Sequence, residues 1–228
     1  MTDARFALYA RRVAASRAKR GLDIAFAVAA LILSAPLWPL IALAVRLEDG
    51  GAVFFRQERS GLGGRVFLAV KFRSMVTDAE RRGARQAVAG DARVTRVGNL
   101  LRASALDELP QLWNILCGDM SVVGPRALRP GEIEAFGSGA FERLEDIPGF
   151  GRRSAVRPGL TGLAQIYAPR SLPRRGKFRY DTLYITRQSF GLDIRLILMS
   201  FWISVSGTWE RRGASKEPRA SGAERDGH

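Results

Sequence analysis

Residues 24–45 read IAFAVAALILSAPLWPLIALAV and carry no charge. How this run is read decides the fold. It is long enough to cross a bilayer as a straight helix, and hydropathy alone makes it a single transmembrane span. It lies too far in for an ordinary signal peptide and has no clear small-residue cleavage site. Two features oppose a span. Pro36 and Pro39 stand near its middle, where each removes a helical hydrogen bond and favours a kink. Both flanks are also basic: Arg11, Arg12, Arg17, Lys19 and Arg20 precede the run, and Arg46, Arg56, Arg59 and Arg65 follow it. The positive-inside tendency then sends neither end across. A broken helix that enters and leaves by one face satisfies both observations and is the reading adopted. Ser34 is available to hydrogen-bond a carbonyl freed by the break. Asp23 opens the run either paired with Lys19 and Arg20 or as a plain charge at a helix N-terminus.

A second stretch, SALDELPQLWNILCGDMSVVGPR at 104–126, sets Asp107 and Glu108 side by side in an apolar segment and ends in Arg126 after a Gly-Pro turn. Adjacent carboxylates repel, so something must stabilise their charge: a helix N-terminus, a cation or a metal. Ser104 followed by Asp107 reads as a capping box. Alternatively, Pro110 opens the helix, where its missing N–H is harmless. Leu109, Leu112, Trp113 and Leu116 form the apolar stripe that would anchor this helix. Asp107 as a mere cap and Glu108 as a solvated charge remain open on this segment alone.

Composition narrows the chemistry. The 228 residues suit one domain with a real core. A formal charge of +14 calls for an anionic partner: nucleic acid, a membrane surface or a nucleotide diphosphate. Cys117 is the only cysteine, so no intramolecular disulfide forms; its place in an apolar helix reads as a packed core thiol. The only histidine is His228, which argues against histidine general bases and histidine-bound zinc. Acid–base or metal chemistry falls to carboxylates, lysine and arginine.

Residues 1–18 read as a basic amphipathic helix on anionic lipid. VFFRQE (53–58) and VFLAVKF (66–72) read as strands joined by a turn at Gly61, Gly63 and Gly64. Residues 76–90 are polar, helical then loop. Thr95–Leu116 predicts two short helices broken near Ser104, and 131–155 a variable loop or helix near the site. LDIRLILMSFWISV (192–205) is short for a span and reads as an interfacial or core helix. Beyond Trp209 the composition is that of a disordered tail.

The blocks KRGLD (19–23), VFFRQERSG (53–61), KFRSM (71–75), DARVTRVGNLLR (91–102), LDELPQLWN (106–114), GDMSVVGPR (118–126), RPGLTGLAQ (157–165) and YDTLYI (180–185) with Asp193 occur in one order. Together they resemble the monotopic phosphoglycosyl transferases, bacterial sugar transferases that start glycan assembly on a polyprenyl phosphate. The resemblance implies an α+β fold: a small single catalytic domain with a re-entrant, proline-broken membrane helix and interfacial amphipathic helices. The segments are then 1–18 (basic N-terminal helix), 19–48 (re-entrant helix), 49–209 (catalytic domain) and 210–228 (tail). It implies the cytoplasmic face of the bacterial inner membrane, with a homodimer as one possible assembly. Two departures stand out. The family usually has Ser before the first proline, where this chain has Ala35, and Pro after Gly-Pro-Arg, where this chain has Ala127.

The resemblance also implies a two-step reaction. Asp107 attacks the β-phosphate of a UDP-sugar, UMP leaves, and polyprenyl phosphate takes the phosphosugar from the aspartate. Covalent catalysis divides one difficult transfer into two, and cations must offset the charge of an anion approaching a phosphate. Mg²⁺ suits this, with Asp107 and Glu108 as its expected ligands. By motif position the substrate-binding residues are Lys71, Arg102, Arg126, Arg170, Asp181 and Asp193. Arg73, Asp91 and Arg157 read equally well as fold-forming ion pairs. The competing classes are a membrane-anchored nucleic-acid-binding module, which leaves the dyad unexplained, and an idle scaffold of the same fold, which the intact dyad opposes.

Overall fold

A computed structural model describes residues 3–77, 79, 91–135, 141–169 and 171–206. Most of 76–90, the tail from 207 onward and Arg170 lie outside the described residues. The described chain mixes helices with small sheets, an α+β arrangement.

The N-terminal third is helical: α1 Asp3–Ala14, α2 Arg17–Ser34 and α3 Leu37–Asp49. Ser16 caps α2 by accepting from the Lys19 amide at 3.2 Å. The apolar run breaks once, with α2 and α3 meeting at 65°. Pro36 sits at the N-cap of α3 and Pro39 in its first turn, where a missing N–H costs nothing. Two prolines therefore make one bend. Trp38 Nε1 donates to Ser34 Oγ across it at 3.1 Å. Among the described residues no single helix is long and apolar enough to cross a membrane. Ile32, Leu33, Leu37, Leu40, Leu43 and Leu47 stay exposed on this bent pair.

The apolar stripe of α1 faces protein rather than lipid: Phe6, Ala10 and Val13 are buried in the main core. Asp23 does not pair with Lys19 or Arg20; its Oδ1 accepts from Ser121 Oγ and the Val122 amide, both at 2.9 Å. Arg20 instead donates to the carbonyls of Ile115 and Leu116 at 2.6 and 2.8 Å. These contacts tie the foot of α2 to the middle of the chain.

Strands β1 Phe54–Ser60 and β2 Val66–Phe72 form the expected antiparallel hairpin, with Phe54 opposite Phe72 and Ser60 opposite Val66. Phe72 packs edge-on against Trp38, ring centroids 5.2 Å apart, so the end of β2 is clamped under α3. Next come α4 Arg96–Ser104, α5 Gln111–Cys117 and β3 Ser121–Val123. The variable stretch holds the hairpin β4 Ile133–Ala135 and β5 Phe141–Arg143, then α6 Phe150–Arg153. Strand β6 Gly159–Thr161 runs parallel to β3, and α7 Leu163–Tyr167, α8 Arg174–Arg187 and α9 Phe190–Val205 complete the described chain.

The main core gathers Leu112 and Ile115 of α5, Val122 and Val123 of β3, Tyr184 and Ile185 of α8, and Leu196 and Ile203 of α9. The anchoring stripe of α5 is thus shifted from the expected one. Ile115 is buried, whereas Trp113 and Cys117 are exposed, so Cys117 is not a core thiol. Helix α9 is two-faced, with Leu198, Phe201, Trp202 and Val205 exposed. Where β3 and β6 cross, the backbones approach too closely for side chains. A Cβ on Gly124 would lie 2.6 Å from the Arg157 carbonyl oxygen, and one on Gly159 only 2.0 Å from the Gly124 nitrogen.

Candidate active site

The dyad is placed by a chain reversal rather than by a long helix. Thr95 Oγ1 caps α4 by accepting from the Gly98 amide at 2.9 Å, and Glu48 accepts from the Arg96 amide at 2.7 Å. α4 stops at Ala105, which takes the left-handed conformation at φ 58°. A single 3₁₀ turn, Leu106–Glu108, then carries the dyad into α5. The capping box does not form. Ser104 Oγ turns back to the carbonyls of Leu100 and Leu101 at 2.8 and 3.2 Å. Pro110 instead stands at the N-cap of α5, just after the dyad, and side-chain cations from elsewhere stabilise the dyad's charge.

Lys71, next to last in β2, donates from Nζ to Glu108 Oε1 at 2.5 Å. Arg126, delivered by the Gly-Pro turn after β3, donates from Nη2 to the same oxygen at 3.1 Å. Gly159 donates to the Pro125 carbonyl at 2.8 Å and fixes that turn against β6. Burial alone raises Glu108, but Lys71 and Arg126 outweigh it and bring its pKa down to about 2. Asp107 is 8 % exposed. Burial dominates there, and with Glu108 beside it the pKa rises to about 6 despite Lys71, Arg102 and Arg126. One member of the pair is firmly ionised and the other is poised near neutrality.

Lys71, Glu108 and Arg126 line a small surface cleft together with Arg59 and Gln111. Arg59 donates to the Ala127 carbonyl at 2.9 Å. Burial, then the neighbouring Arg126 and Arg129, lower its pKa to about 10, so it stays charged at neutral pH. Such a cleft suits a polyanion.

Of the other expected residues, Arg102 lies in the last turn of α4, close enough for its charge to favour ionised Asp107. Arg170 lies outside the described residues. Two expectations need correction. Asp193 is 0 % exposed. Its carboxylate accepts from Lys19 Nζ at 3.1 Å, Tyr184 Oη at 2.8 Å and Gln188 Nε2 at 2.8 Å. It is closed to a sugar hydroxyl, because α9 brings it into the core beneath α2. Asp181 is also buried and accepts from Arg153 Nε at 2.8 Å. Arg153 donates in turn to the Arg126 carbonyl. Asp181 acts on the turn that aims Arg126, not on a ligand. Arg73 pairs with Asp49, Asp91 with Arg93, and Arg157 binds the carbonyls of Gly118 and Ala14, so these three serve the fold.

Sequence reasoning missed Arg59, Gln111 and Arg153 as site residues. Arg59 and Gln111 lie inside matching blocks, but neither motif says which face they take. Arg153 falls in the stretch that matches the family poorly, so only the fold reveals it.

Among the described residues no group of three or more metal-ligating side chains occurs. Asp107 and Glu108 alone nevertheless fit Mg²⁺, which commonly binds through one or two carboxylates plus substrate phosphates. Burial is the main cause of the raised pKa of Asp107; Glu108 adds to it, and Lys71, Arg102 and Arg126 oppose it.

Comparison with known proteins agrees with this geometry. The family model for bacterial sugar transferases matches residues 14–207, and the chain belongs to that family. An Aeromonas hydrophila UDP-N-acetylgalactosamine-undecaprenyl-phosphate N-acetylgalactosaminephosphotransferase is 40 % identical, over 83 % of this chain and 44 % of its own length. A Caulobacter vibrioides UDP-glucose:undecaprenyl-phosphate glucose-1-phosphate transferase is 42 % identical, over 82 % of this chain and 69 % of its own. The exopolysaccharide production protein PSS of Rhizobium leguminosarum is 40 % identical, over 78 % and 90 %. The chain thus spans under half the length of the Aeromonas protein but most of the Rhizobium one.

Proposed function

We propose that this chain transfers a sugar-1-phosphate from a UDP-sugar to polyprenyl phosphate through a phosphosugar–Asp107 intermediate. The observation that carries the reading is the poised Asp107 beside a Glu108 held by Lys71 and Arg126, next to a cationic cleft. The names of the relatives supply the substrate classes.

A carboxylate with a pKa of about 6 is mostly ionised at neutral pH and more nucleophilic than an ordinary aspartate. Its oxygen attacks the β-phosphorus, the bond from that phosphorus to the bridging oxygen breaks, and UMP leaves with that oxygen. An oxygen of polyprenyl phosphate then attacks the same phosphorus, and the bond to Asp107 breaks, restoring the carboxylate. Lys71, Arg126 and Arg59 offset phosphate charge during both approaches. Arg126 is suited to a bidentate grip, and the Arg153–Asp181 pair holds its backbone. Mg²⁺ held by Asp107, Glu108 and phosphate oxygens would add Lewis-acid neutralisation of the reacting group.

The bent α2–α3 pair is, in this reading, a re-entrant membrane hairpin, and the site works at the cytoplasmic face of the inner membrane. Its exposed apolar residues and those of α9 support lipid contact. The packing of Trp38 on Phe72 links the hairpin to the strand carrying Lys71. A lipid-borne phosphate would then meet the site without leaving the interface.

The decisive experiment incubates purified protein with a panel of UDP-sugars and Mg²⁺ but no polyprenyl phosphate. A burst of one UMP per protein and a phosphosugar mass adduct on Asp107 are expected; a protein that forms no adduct yet turns over once polyprenyl phosphate is added rejects the covalent step. Topology has its own test. Exposed Cys117 is first replaced by Ser, and single cysteines are then introduced near Arg11 and near Arg65. Both should label from one side of the membrane, and labelling from opposite sides rejects the hairpin.

A further inference from the structure

Helix α5 carries two buried amide side chains, and they differ. Asn114 is used up by the fold: its Nδ2 donates to the Leu68 carbonyl at 2.8 Å, and its Oδ1 accepts from the Val70 amide at 3.2 Å. Gln111, one turn earlier and 4 % exposed, has a buried Nε2 with no partner among the described residues. A buried donor without an acceptor is costly and rare. Gln111 also lines the cleft with Lys71, Glu108 and Arg126. Glu108 Oε1 already accepts from both of those cations.

We infer that Gln111 Nε2 is an uncharged hydrogen-bond donor to a non-bridging oxygen of the phosphoryl group that passes between the nucleotide and Asp107. This rests on the transferase reading above. The donor is neutral, so it neither competes for Glu108 nor changes the charge of the dyad. It is positioned before substrate arrives, and its hydrogen bond strengthens as charge gathers on the phosphoryl oxygens. Gln111 moves no proton and forms no covalent bond.

The test compares Gln111→Met with the unaltered full chain in detergent. Methionine keeps the length of the side chain and removes the donor. The rate of the UMP burst should fall ~10²- to 10³-fold, while the thermal unfolding midpoint stays level or rises, because the unpartnered group is gone. A role confined to the fold would instead lower the midpoint. Gln111→Glu adds a second reading. Ionised, it should be slower than Gln111→Met; protonated at lower pH it regains a donor, so its activity relative to the unaltered chain should rise as pH falls. A burst within twofold of the unaltered chain in Gln111→Met overturns the inference, as does a loss of activity that tracks a lowered midpoint. An unaltered chain that releases no UMP from any UDP-sugar overturns the transferase reading, and this inference with it.

Discussion

Two buried clusters in this protein are built from similar parts and behave oppositely. Beneath α2, Lys19 meets Asp193, and every described neighbour closes the set: Tyr184 and Gln188 donate to the carboxylate, and Lys19 also reaches the Val123 carbonyl at 2.9 Å. At the cleft, Lys71 meets Glu108, but Asp107 beside it is raised to about 6 and a wall residue keeps an unused donor. A saturated cluster holds elements together. An unsaturated one keeps groups free for a ligand. A lysine–carboxylate pair is therefore not by itself a signature of function.

The sharpest break of this contrast is Asp107→Asn. It removes the nucleophile and should reduce UMP release by at least ~10³-fold, with folding kept; retained turnover would equate the two clusters. The next effect lies at the other site. Lys19→Met leaves Asp193 charged, buried and unpaired and should cost about 3–5 kcal/mol in unfolding measurements. The double change Lys19→Met with Asp193→Leu should recover much of that loss and keep the UMP burst. A double variant that folds but has lost the burst would mean that the lower cluster also serves the chemistry.

A smaller effect is read in pH. The folded pKa of Asp107, about 6, exceeds its ordinary value of 3.8. Protonation therefore favours the folded state: this stabilising contribution is complete below 3.8 and is lost as pH rises through about 6. Activity needs the ionised form and should run the other way, falling as pH drops below about 6. Lys71→Met removes a cation that favours ionisation, so the acid limb should move upward by ~1 pH unit. The smallest effect concerns the turn itself. Ala105→Gly relieves a left-handed alanine and should add about 0.5–1 kcal/mol of stability without changing the burst.

Much of the site was legible in the chain. The dyad, Lys71 and Arg126 converge as their blocks suggest, and the hairpin of β1 and β2 follows its apolar alternation. Asp193 and Asp181 are buried in ion pairs rather than open to a ligand; a motif marks that an acid matters, not which way it faces. Lys19 and Asp193 are 174 residues apart, and no local pattern shows that they meet. Part of the basic character is used inside the fold: Arg20, Arg73, Arg153 and Arg157 are occupied by internal carbonyls or carboxylates.

The amino-acid order by itself determined the break in the apolar run, because proline cannot continue a helix. It also determined the strand pair, by alternation and glycine, and the residues of the dyad. Only the tertiary structure decided which carboxylates are saturated and which stay available. That depends on desolvation and on partners brought from distant segments, and both exist only once the chain has closed around them.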